Sequence, residues 1–113
     1  MSYIAENLIC AINEALGNKI TYSNYFSDTK DIVFSLSHNE KWYIYKGSKS
    51  AFKPNKNTIY REVLKVNGIP VAYIELDKIK DMDRAVDICI ACKRDNKYRH
   101  KGYSSNLVAR ALE

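Results

Sequence analysis

Arg99, His100 and Lys101 stand directly before Gly102, and Ser104, Ser105 and a run of helical spacing follow at once. In the stretch YRHKGYSSNLVARAL, Leu107, Val108, Ala111 and Leu112 take the i, i+1, i+4, i+5 positions of a helix resting on a core. Ser104 and Ser105 occupy the places of N-cap residues, whose oxygens accept from the exposed N–H groups of a first turn. A helix N-terminus carries unpaired amides and the positive end of the helix dipole, so it attracts anions. Small residues let a loop wrap closely around phosphate oxygens, and Arg99 and Lys101 add positive charge beside it. The chemistry within reach of this stretch is the holding of phosphate groups by main-chain amides.

Such a loop needs a strand to lead into it. VDICIAC, residues 86–92, is nearly apolar throughout and is expected to be a strand buried on both faces. Upstream, TIYREVLKV and PVAYIELDKI alternate in hydropathy, with Tyr60, Glu62, Leu64 and Val66 on one face of the first strand. Between them sits Asn67-Gly68, the pair best suited to the positive φ angles of a tight hairpin turn. Pro70 falls at the entrance of the second strand, where it costs no central ladder bond. The order is hairpin, buried strand, basic glycine loop, helix.

The first half is less regular. Ile4, Leu8, Ile12 and Leu16 fall four apart, which predicts an amphipathic helix over 3–16 that packs on the sheet and stops at Gly17-Asn18. Residues 19–30 show no clear period. DIVFSLSH and KWYIYKG are expected to be two strands joined by a turn at His38-Asn39-Glu40, and residues 47–57 an exposed loop.

The whole is one domain of 113 residues, 46% hydrophobic and 27% charged, with an ordinary globular balance. A net charge of +5 suits an anionic ligand and equally suits nucleic acid. No apolar run approaches the roughly 20 residues of a membrane span. The N-terminus lacks the basic lead of a signal peptide, and three cysteines are an odd number, so reduced thiols in a cytoplasmic protein are expected.

Arg99-His100-Lys101-Gly102-Tyr103-Ser104, preceded by Tyr98 and set between a strand and a helix, resembles the pyrophosphate signature of the GNAT superfamily of acyl-CoA N-acyltransferases. The resemblance covers residues 58–112, with 1–57 as an N-terminal helix and strands ahead of it. It implies an α+β fold, a mixed and mainly antiparallel sheet with flanking helices. It implies further that acetyl-CoA is co-substrate for an N-acetyltransferase acting on an amine. The diphosphate would lie on Arg99, His100, Lys101, Gly102, Tyr103, Ser104 and Ser105, and the pantetheine arm along Ile90, Ala91 and Cys92. A strand carboxylate acting through water is the family's usual base, which makes Asp87 and Glu75 the candidates; the plainer role for both is as rim or solvent-facing strand residues. The family pattern continues past this helix, so an abbreviated fold is expected, completed by further chain or by a second copy on an exposed sheet edge.

Two other features have simpler explanations. Cys89 and Cys92 have the C-x-x-C spacing of zinc and redox sites, but residues three apart on a strand point to opposite faces and cannot chelate one metal. No metal is expected. KWYIYKGSKSAFKPNKN interleaves aromatics with lysines, the pattern of a nucleic-acid surface, though strand alternation assigns half of those rings to a core. The alternative to an acetyltransferase is therefore a small, basic, non-catalytic module that binds nucleic acid or protein.

Overall fold

Four strands pair in sequence order in a computed structural model that describes residues 8, 11–41, 57–82, 85–95, 97–98 and 101–112. They are β1 (Ile20–Ser23), β2 (Thr58–Val66), β3 (Ile69–Lys78) and β4 (Val86–Cys92), and every pairing is antiparallel. Helices α1 (Phe26–Phe34) and α2 (Tyr103–Ala111) lie one on each face of the open sheet. The fold is thus α+β.

The β2–β3 hairpin forms where the sequence places it. Asn67 and Gly68 both hold positive φ, 53° and 81°, as a two-residue turn between twisted strands requires. The turn also fixes β1: Asn67 N–H donates to the Lys19 carbonyl at 2.8 Å, and Lys19 N–H donates to Asn67 Oδ1 at 2.9 Å. Leu64 and Val66 enter the core from the expected face of β2, with Tyr60 packed at its border.

α2 covers that face. Tyr103 and Leu107 pack with Ile20, Leu64, Ala72 and Ile74, and Tyr98 joins them from the loop. Burial of these side chains supplies the driving force, and polar contacts set the helix in register. Arg110 donates from Nε to Glu62 Oε1 at 2.6 Å and from Nη2 to Oε2 at 3.0 Å. Its guanidinium carbon lies 3.6 Å from the centroid of the Tyr22 ring, and Tyr22 Oη donates to Asn106 Oδ1 at 2.7 Å. The bond to Glu62 raises the pKa of Arg110, keeping it firmly charged.

α1 corrects the sequence reading. DIVFSLSH is expected to be a strand, yet residues 31–34 complete a helix and 38–41 begin another helical turn. Thr29, Ile32, Val33 and Leu36 are buried at i, i+3, i+4 and i+7, and three of them meet Val63, Tyr73 and Ala91 on the sheet. The supposed hairpin turn is a capping box: Ser37 N–H and Oγ donate to Glu40 Oε2 at 3.2 and 3.1 Å, and Glu40 N–H donates to Ser37 Oγ at 3.4 Å. Of the second expected strand, 41–47, Lys41 belongs to that helical turn and 42–47 lie outside the described residues, as does most of the 47–57 loop.

Two further expectations change. β4 is an edge strand rather than one buried on both faces: Ile88 is 61% exposed, and no strand lies beyond it among the described residues. An apolar run makes a strand able to bury both faces, but whether other segments cover them is not written in the run itself. The stripe at Leu8, Ile12 and Leu16 faces outward, while Asn13 is the buried residue of that turn. Gly17, at φ 98°, ends the helical residues as expected.

Candidate functional site

A groove of about 940 Å³ opens between the outer edge of β4 and the start of α2, near the top of the roughly 300–1,000 Å³ typical of small-molecule sites. Its strand wall contains Ile90, Ala91 and Cys92. Its opposite wall is Lys101, Gly102, Tyr103, Ser104 and Ser105. Asp87 lies at the far end of the strand wall, on the same groove. The structure therefore brings together nine candidate site residues singled out from the sequence, drawn from two separate segments. Arg99 and His100 lie outside the described residues.

The strand wall offers main-chain groups as well as side chains. Lys93 N–H donates to the Val71 carbonyl at 2.8 Å, so residues 93, 91, 89 and 87 turn their main-chain groups toward β3. Antiparallel alternation then turns the N–H and C=O of Ile88 and Ile90 toward the open edge. An extended ligand carrying amides can pair with them as an added strand would.

The loop wall is built by a left-handed residue. Gly102 sits at φ 77°, ψ 13°, and its carbonyl accepts from Asn106 N–H at 2.9 Å as the first helical bond. The helix consequently starts at Tyr103, and Gly102 is the N-cap without any side-chain capping bond. This corrects the role expected for Ser104 and Ser105. They are the second and third helical residues, and their main-chain N–H groups point out of the helix end without an intrahelical acceptor. Buried Tyr98 anchors the loop, with Tyr98 N–H donating to Asp95 O at 2.9 Å, and Asn13 Nδ2 donates to Lys101 O at 3.4 Å.

Charge on the groove is uneven. Lys93, Arg94 and Lys101 line the end near α2, and Asp87 lines the other. Arg94 forms an ion pair with Glu40, which also lines the groove with Leu36 and Asn39. This third wall escapes the sequence reading, which takes 31–38 and 41–47 as strands joined by a turn; the Ser37-x-x-Glu40 spacing is the available sign of a helix start.

Glu75 stands elsewhere. It shares the sheet face of Tyr73 with 1% of its side chain exposed, does not line the groove, and accepts from Arg61 Nε at 2.8 Å. Cys89 and Cys92 fall on opposite faces of β4, as strand geometry demands: Cys89 lies beside Tyr73, and Cys92 packs against the α2 side. No helix among the described residues is long and apolar enough to cross a membrane. Comparisons with family models, curated proteins and solved structures find no match to the chain.

Proposed function

We propose that the chain is an acyl-CoA dependent N-acetyltransferase of the GNAT type that binds acetyl-CoA in this groove and acetylates an amine. One observation carries the reading: a strand edge with outward amides and a glycine-capped helix N-terminus face each other across a single groove with cationic residues at the helix end. The diphosphate of acetyl-CoA lies against the main-chain N–H groups of Ser104 and Ser105, with Lys101 and Lys93 beside it. The pantetheine amides pair with the edge groups of Ile88 and Ile90.

Transfer then needs an uncharged amine, a held oxyanion and a proton for sulfur. Asp87 accepts a proton from the acceptor ammonium, directly or through water. The freed nitrogen attacks the thioester carbonyl, a main-chain N–H of the β4 edge holds the oxyanion, and the C–S bond breaks as the amide forms. The nitrogen sheds its second proton as the amide forms, and that proton goes to the departing thiolate, so charge and atoms balance with one proton left on Asp87. Glu75 does not serve as base in this scheme, because Arg61 already engages its carboxylate.

Isothermal titration with acetyl-CoA tests the reading. Saturable binding that is lost in Gly102→Val supports it. Salt-sensitive binding to an oligonucleotide, with no affinity for acetyl-CoA, replaces it with the basic binding module.

A further inference from the structure

We infer that Arg94 is a switch side chain, which leaves the carboxylate of Glu40 for the phosphates of a diphosphate-bearing ligand when one enters the groove. The inference rests on reading the groove as a diphosphate site. Arg94 follows β4 and Glu40 is the third residue of the helical turn at 38–41, so their ion pair joins two walls of the same groove. Arg94 is 48% exposed and Glu40 28%, so water competes with the pair and its net strength is small. The pair Arg61–Glu75, at 9% and 1% exposure, is shielded from water and has no such freedom.

Release also leaves Glu40 partnered. Ser37 donates to it through both its main-chain N–H and its hydroxyl, so the carboxylate keeps two hydrogen bonds after Arg94 departs. Arg94 meanwhile gains the planar, two-pronged fit of guanidinium to phosphate, which a lysine cannot supply. Without ligand, Glu40 offsets a cation that would otherwise draw any small anion into the groove. A diphosphate, contacting Lys93, Lys101 and the α2 N-terminus at once, has the charge to displace it.

Pyrophosphate and acetyl-CoA are titrated separately into the intact chain and into Glu40→Gln, Arg94→Gln and the double variant. Glutamine at 40 preserves the capping box, so the helical turn persists and only the charge is removed. Glu40→Gln is expected to tighten pyrophosphate about two- to fivefold, the range of a half-exposed ion pair. Arg94→Gln weakens it, and in the double variant the gain from Glu40→Gln disappears. A gain of equal size with and without Arg94, or no gain at all, overturns the switch. Binding of pyrophosphate with this coupling but no binding of acetyl-CoA sustains the switch and sinks the acetyltransferase reading. Acetyl-CoA binding that ignores both substitutions does the reverse, and binding of neither probe overturns both.

Discussion

Tyr73 and Cys89 meet across the β3–β4 ladder with phenol oxygen and thiol sulfur 3.1 Å apart, on the sheet face that α1 covers. Burial is the main reason that both groups hold their protons beyond their ordinary values of 10.0 and 9.0, and the Glu75 carboxylate adds to it. The phenol's bond to the thiol opposes the rise at Cys89 without cancelling it.

This pair predicts a stability that falls with alkali. The unfolded chain gives up the thiol proton near 9.0 and the phenol proton near 10.0, whereas the folded chain keeps both. The unfolded state then binds fewer protons, so stability drops as pH rises through those values. Thermal midpoints should be level below the first value and decline above it, and Tyr73→Phe should remove part of the decline. A midpoint that climbs between these values would contradict the assignment.

The Arg61–Glu75 pair is expected to behave as a buried one. Glu75→Ala removes the carboxylate that engages Arg61 inside the protein and should cost roughly 3–5 kcal/mol in urea unfolding. Replacing both, with Arg61→Met and Glu75→Leu, should recover most of that loss. Equal losses for the single and double variants would show that the two charges act independently.

Gly102 has a conformational role and Ser104 has none at the cap. Alanine at 102 must adopt the left-handed region at φ 77°, a strain of about 1–2 kcal/mol. Ser104→Ala removes no capping bond, so chemical denaturation should find it within about 0.5 kcal/mol of the parent. A large loss at Ser104 would mean that its hydroxyl has a structural partner.

Asp87 and Glu75 should separate in a transfer assay. Asp87→Asn is predicted to lower turnover of an amine acceptor by about 10²–10⁴ while leaving acetyl-CoA affinity nearly unchanged. Glu75→Gln should act on the melting temperature more than on the rate at low temperature. Unaltered turnover in Asp87→Asn removes it from the mechanism.

Local rules made part of this molecule legible. Asn67-Gly68 encodes its own turn, because positive φ is a property of the residues themselves, and alternation then assigns the faces of β2. The glycine loop before α2 was legible for the same reason, although the helix begins one residue before Ser104. α1 was missed because its stripe, Thr29 to Leu36, starts in a segment without visible period and ends among β-branched residues that favour strands. Residues 31–38 taken alone support either reading; the buried contacts with Val63 and Tyr73 decide it.

The sequence by itself determined the Asn67-Gly68 turn, the alternating faces of β2 and the glycine before α2, since each depends on torsional preference or spacing within a few neighbouring residues. Only the tertiary structure decided that β4 lies at an edge, that Glu75 is buried against Arg61 while Asp87 opens on the groove, and that Glu40 reaches Arg94. Those outcomes depend on which surfaces come together when segments far apart in the chain bury their apolar faces, and no local window contains that information.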